Sequence, residues 1–331
     1  MQQPPPVTAE YMRNWGKHTH GSPLYARLVE VVAGDSDLLR VINRIENRPP
    51  PNLLFAAVQY LLMNGAGSDL TAYYPSLVEV SLPPEGVSPV FREFVLANEE
   101  EIVALANTRY TQTNESRRCV ALLPLVMMAP FDRFHLVDIG TSAGLNLGLE
   151  RYRYRFDDLE WGPESPLVLD AESRGVDPPL HDIEVLSRTG LDLNPLDPGD
   201  EEARRWLDAL IWPEHEERRS RLRRALAIIS EIPVEMVPGD ALVTLPRVLE
   251  SLPSDEPVVV MNSFAFAQFS PEGRQEVEQI SERARKRRPV FRVIMELFDA
   301  SEDWARMVID DGTGPKTVGQ AHPHGEWIEL F

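Results

Sequence analysis

The segment Leu136-Val137-Asp138-Ile139-Gly140-Thr141-Ser142-Ala143-Gly144-Leu145-Asn146 passes from a short apolar run, through a turn of small residues, into a second apolar start. Such a pattern reads as a buried strand, a tight turn and the first turn of a helix. Small side chains at 140, 142, 143 and 144 let backbone approach a ligand closely, and the expected helix offers free N–H groups at its start. Asp138 places a carboxylate beside the same space. A loop built for a pyrophosphate has no use for that carboxylate, whereas a cationic ligand does.

Working outward, the pattern from Thr8 to about Pro130 is helical. Asn52 reads as a cap, Leu53 to Met63 as a helix apolar nearly all round, and Asn64-Gly65 as a left-handed stop. Val90 to Thr108 reads as an amphipathic helix and Asn114 to Met128 as a second apolar one, ended by Pro130. After Pro130 short apolar runs alternate with helices, the rhythm of a mostly parallel sheet. The expected strands are His135 to Ile139, Val185 to Asp192, Val234 to Val237, Val258 to Met261 and Val290 to Phe298, with a final antiparallel pair among Met307 to Ile309 and Trp327 to Leu330. Leu222, Leu226 and Ile229 mark the sheet-facing side of a helix over Glu214 to Ile229, and Ser270-Pro271 opens another that Pro289 ends. The expected organisation is a helical cap lobe over residues 1–130 and an α/β domain over 131–331, with an inserted hairpin at about 152–182.

Hydrophobic residues make up 43% and charged residues 26% of the 331, as in ordinary folded domains. A net charge of −19 repels phosphate backbones, which argues against nucleic acid or an anionic membrane as partner and for a small or cationic one. The basic cluster Arg283 to Arg288 ends an expected helix, where cations meet the helix dipole. With one cysteine, Cys119, there is no internal disulfide, and its apolar surroundings make it a buried filler. The longest apolar run is too short to span a bilayer and no leader opens the chain, so a cytoplasmic location is expected.

Two further signals follow the glycine turn in order. Asp192, within Gly190 to Pro195, ends an apolar strand, where a carboxylate accepts ribose hydroxyls. Asp240, within Pro238 to Leu242, follows the next strand and is placed for an adenine edge. Each alone is also what a helix cap or turn residue looks like. Asp157 and Asp158 lie nearer the usual spacing of about 20 residues past the turn, but only Asp192 ends a clear strand. Taken together the three strings resemble the motifs of class I S-adenosylmethionine-dependent methyltransferases, with Ser142 standing where the middle glycine is usual. The resemblance implies a Rossmann-like α/β sheet, an N-terminal all-helical lobe, S-adenosylmethionine as cofactor and an acceptor held between the lobes. Its implied cofactor contacts are Asp138, Gly140, Thr141, Ser142, Gly144, Asn146, Asp192, Asp240 and Asn262.

The same turn spells G-x-S-x-G, the nucleophile elbow of serine hydrolases of α/β type, with Ser142 as nucleophile and Asp299, Asp310, His322 or His324 as partners. That fold needs strands before the elbow, where this chain offers helices. A third reading is a ligand-binding or scaffold protein without catalysis. Arg109, Gln112 and Asn114, in a polar stretch before a helix start, are candidate substrate contacts with helix capping as the alternative. Should a general base be needed, Glu115, Glu296 or His324 can serve. His18 with His20, and His322 with His324, form His-x-His pairs that lack a third ligand at known spacing, so no metal is expected.

Finally, Pro51 to Ala57, Gln112 to Glu115, Gly140 to Asn146 with Arg151-Tyr152, Arg188 to Asp197, and Trp206 with Ile211 to Pro213 together resemble the bacterial domain of unknown function 2332 family, over roughly residues 20 to 331. That resemblance brings no activity. It suggests that Asn52, Gln112 to Glu115 and Trp212-Pro213 belong with the glycine turn as one unit.

Overall fold

The structure, a computed structural model, describes residues 5–17, 19, 21–298 and 302–331. It divides into two compact units, Met1–Thr113 with Glu201–Ser220 and Asn114–Asp200 with Arg221–Phe331. The division thus falls at Thr113/Asn114 and not at 130, and a later segment returns to the helical unit.

That unit contains α1 (Ala9–Gly16), α2 (Pro23–Ala33), α3 (Ser36–Ile42), α4 (Pro50–Met63), α5 (Val87–Ala97) and α6 (Glu99–Thr108). Helix α4 is buried almost throughout, as its all-round apolar pattern requires. Its start differs from expectation: Pro49 is the capping residue, and Asn52 instead accepts a bond from Trp15 Nε1 at 2.9 Å. The single helix expected over Val90 to Thr108 is two, because Asn98 leaves the helical conformation and turns its amide back onto the Phe94 carbonyl at 2.8 Å. Helix α7 (Cys119–Met127) belongs to the other unit, every one of its residues buried. Helix α8 (Glu201–Ala209) returns to the helical core, where Trp206 and Ala209 are buried and Gln59 Nε2 bonds the Ala209 and Ile211 carbonyls at 2.8 Å each. Helix α9 (Glu216–Ile229) ends in the sheet unit, which also holds α10 (Ala241–Ser251) and α11 (Pro271–Arg285).

The sheet unit is built on eleven strands: β1 (Arg133–Ile139), β2 (Arg153–Phe156), β3 (Leu159–Trp161), β4 (Val168–Gly175), β5 (Glu184–Asp192), β6 (Glu235–Pro238), β7 (Val258–Ser263), β8 (Val290–Glu296), β9 (Ala305–Asp310), β10 (Lys316–Ala321) and β11 (Trp327–Leu330). Their order is β3-β2-β4-β11-β10-β9-β8-β7-β1-β5-β6, so the fold is α/β with a large, mostly parallel, open sheet. Strands β6, β5, β1, β7 and β8 run parallel. In β7 and β8 every residue is buried, the mark of central strands covered on both faces. On one face Val137, Ile139, Leu191, Leu245, Val260, Val277 and Ile294 share a core with α10 and α11.

Three expectations at the sheet's edge are corrected. Met307 to Ile309 and Trp327 to Leu330 are not partners, because β10 lies between β9 and β11 and pairs antiparallel with both. The short, helix-free links from β9 through β11 leave room only for antiparallel returns. Strands β2 and β4, expected as a hairpin, pair parallel, and the hairpin is β2–β3. The turn after β1 does not lead into an α-helix: Leu145–Arg151 is a 3₁₀ segment interrupted at Gly148.

Candidate functional site

Strand order reverses at β1, which pairs with β5 on one side and β7 on the other. In open α/β sheets the chain crossovers diverge at such a point, and ligands bind outside the carboxyl ends of the strands. Gly140, Ser142 and Gly144, at that end of β1, have φ of 77°, 51° and 76°. The left-handed backbone suits glycine and strains serine. Close packing also demands the two glycines: a Cβ on Gly140 would lie 2.6 Å from Ala265 Cβ, and one on Gly144 2.6 Å from Met236 Cε. Those two glycine faces are therefore covered by protein atoms, not offered to a ligand.

Strand β5 fixes the turn. The Gly140 N–H donates to the Leu191 carbonyl at 2.8 Å, and the Asp192 carboxylate accepts from Ser142 N–H and Asn194 N–H at 2.8 Å each. The Asp192 carbonyl accepts from Gly239 N–H at 2.9 Å, drawing the start of α10 to the same corner. There Asp240 caps α10 through Leu242 N–H at 2.8 Å, its side chain otherwise exposed. Leu193, next to Asp192, and Val243, three residues after Asp240, are 64% and 57% exposed.

Asp138 differs from both. It is 1% exposed, and among the described residues no donor meets either carboxylate oxygen at hydrogen-bonding geometry. Burial, the largest influence, pushes its pKa up to about 7 against the pull of the Thr141 side chain, with the charge of Asp192 adding to the rise and Asn146 opposing it. The Ser263 hydroxyl is also buried without a partner, and the Thr141 hydroxyl faces Asp138 short of full hydrogen-bonding geometry. Buried polar groups are nearly always satisfied, so a cluster of exceptions at a sheet's carboxyl edge marks a place for a polar ligand.

On the opposite face of β7 and β8, Asn262 and Glu296 bond each other. Glu296 Oε1 accepts from Asn262 Nδ2, Ala265 N–H and Phe266 N–H at 2.8, 2.8 and 2.9 Å. Burial raises the Glu296 pKa, opposed by these donors and by the charge of Arg118. Glu296 thus holds the Ser263–Phe266 turn, in which Phe264 takes a φ of 55° and its ring lies 4.0 Å from the Arg118 guanidinium carbon.

The remaining candidates take other places. Asn114 is a clamp on the turn, its amide donating to Ser142 Oγ at 2.9 Å and its oxygen accepting from Ala143 N–H at 3.4 Å. Glu115 caps the 3₁₀ turn Ser116–Arg118, so that α7 starts at Cys119 and not at Asn114, and lies 3.6 Å from Arg221 Nε. Asn146 accepts from the buried Cys119 thiol at 3.5 Å. Arg109 sits over the Tyr60 and Trp206 rings and pairs with Glu202 at 3.2 Å, in the helical unit. Gln112, Asn52 and Trp212 lie in that unit also. His324 is exposed on the β10–β11 turn, whose Pro323 carbonyl accepts from Arg118 Nε at 3.0 Å. For the hydrolase arrangement, Ser142 is 7% exposed, and Asp310 lies at the opposite edge of the sheet, 3.1 Å from Arg285 and 3.5 Å from Arg292. Asp299, His18 and His20 lie outside the described residues. Among the described residues no cluster of three or more His, Cys, Asp or Glu could hold a metal, and no helix is long and apolar enough to cross a membrane.

Residues 9–330 match the family described as an uncharacterized protein conserved in bacteria (DUF2332). The chain belongs to this family. A search among curated proteins finds no match. In this DUF2332 member the matched span contains every residue of the carboxyl-edge cluster, which sequence reading reached through Asp138 and Asp192 and missed at Ser263. Only the missing partner of its buried hydroxyl singles Ser263 out, and no motif records that.

Proposed function

We propose that this protein is an S-adenosylmethionine-dependent methyltransferase acting on a small or cationic acceptor. The observation that carries the reading is Asp138: a buried carboxylate that only the Thr141 and Asn146 side chains approach, short of full hydrogen-bonding geometry, below a turn of left-handed residues, where strand order reverses. A negative group so placed is costly unless a cation or donor meets it, and the cofactor's amino-acid end supplies one. The order β6-β5-β1-β7-β8 is that of a doubly wound nucleotide-binding sheet, which supports the fold half of the reading.

The residues present fit the cofactor's other end as well. Asp192 spends one lone pair of each oxygen on backbone N–H groups and keeps the rest for ribose hydroxyls. Leu193, next to Asp192, and Val243, in the first turn of the helix that Asp240 caps, are large and exposed and suit the faces of an adenine ring. The bound cofactor supplies a methyl group on sulfur ready for transfer. This chain's part is to hold the two ends, align the acceptor and keep water out. The acidic net charge favours cationic acceptors over anionic ones.

Isothermal titration with S-adenosylmethionine and with S-adenosylhomocysteine tests the reading. Saturable binding of both is expected, and an absence of heat from both at high protein concentration would overturn it.

A further inference from the structure

Resting on the reading above, we propose that Ser263 is a ligand-binding residue: its hydroxyl, together with the Asp138 carboxylate, takes the ammonium group of the cofactor's amino-acid arm. Three observations carry this. First, Ser263 is 8% exposed and its Oγ is buried with no hydrogen-bond partner among the described residues, and the buried Asp138 carboxylate is approached only by the Thr141 and Asn146 side chains, short of full hydrogen-bonding geometry. Second, the two residues share a face of the sheet. Asp138 is opposite Met261 in the parallel β1–β7 register, and Ser263 lies two residues beyond Met261 on the same side. With strands about 4.8 Å apart and a rise of about 3.3 Å per residue, such diagonal neighbours stand about 8 Å apart, a gap that one small polar group bridges. An ammonium has donors for both oxygen types, whereas an anion would meet the carboxylate's repulsion.

Third, the position of Ser263 is enforced. Phe264 is held at a φ of 55°, a conformation costly for an aromatic residue. Such strain persists only where the surroundings over-determine it. Here Glu296 gathers three donors on one oxygen, two of them the N–H groups of Ala265 and Phe266, and Ala265 packs against Gly140. The turns after β1 and β7 are therefore locked to each other, with Asp138 and Ser263 at their bases. Glu296 acts in this as a positioning residue.

The test compares S-adenosylhomocysteine with methylthioadenosine, which keeps adenosine and sulfur and lacks the amino-acid arm. Ser263→Ala is expected to weaken S-adenosylhomocysteine roughly tenfold to a hundredfold, the loss of one hydrogen bond to a charged group, while leaving methylthioadenosine unchanged. Asp138→Asn should show the same selectivity with a larger loss. Because an unpartnered buried hydroxyl is removed, Ser263→Ala should melt no lower than the parent without ligand, which a merely structural serine would not do. Glu296→Gln, which keeps the accepting oxygen, should retain more S-adenosylhomocysteine binding than Glu296→Ala. If the parent binds both ligands and Ser263→Ala weakens them equally or not at all, the assignment is wrong. If the parent binds neither, the cofactor reading fails and takes this inference with it.

Discussion

Asp138 sets the pH behaviour at the scale of single residues. Its carboxyl titrates near 7 in the folded protein against an ordinary value of 3.8, so the folded state holds its proton more tightly. The stability this confers is present in full below pH 3.8 and is lost as the pH rises through about 7. Asp138→Asn keeps the shape and removes the titration. In urea denaturation without ligand, the variant should gain on the parent by on the order of 1–3 kcal/mol between about pH 5 and about pH 8. Equal curves at both pH values would mean that Asp138 is well solvated. Asp192 contrasts with it, since both of its oxygens bond backbone N–H groups. Asp192→Ala should cost about 1–3 kcal/mol and speed amide exchange at Ser142 and Asn194; unchanged exchange at both amides would show that the carboxylate does not pin the turn.

The joint between the turns after β1 and β7 belongs to the scale of elements. Gly140→Ala imposes a Cβ 2.6 Å from Ala265 Cβ on a backbone at φ 77°, and should destabilise by roughly 1–3 kcal/mol. Adding Ala265→Gly should recover the steric part and leave the backbone part, a coupling measurable by thermal denaturation of the single and double variants. Strict additivity would show that the two turns do not touch. These elements were legible to different degrees for physical reasons. β1, β7 and β8 are buried on both faces, so their apolar runs announce them. β10, reading Lys-Thr-Val-Gly-Gln-Ala with an exposed start, carries no apolar run and was invisible. Alternation in β2 and β4 signalled strands but could not name their partners, because pairing direction depends on the intervening connection.

At the scale of the whole molecule, a net charge of −19 implies self-repulsion in the folded state. Moderate salt should therefore raise the melting temperature by a few degrees, a shift that differential scanning calorimetry over a salt series detects. A flat series would mean that local ion pairs already balance the charge. The division into units was misplaced from sequence because α7 is apolar all round, a pattern that reads the same in a helical core or beneath a sheet. Trp206 in α8 gave no sign that its segment returns to the helical unit, since that is a long-range contact. The order of the acidic motifs was readable because each follows a strand of the parallel core. What they grip is tested most directly by a crystal structure of the protein with S-adenosylhomocysteine. The predicted result is the ligand over the carboxyl ends of β1 and β5, with its ammonium at Asp138; a saturated crystal with the ligand elsewhere, or with Asp138 untouched, would contradict it.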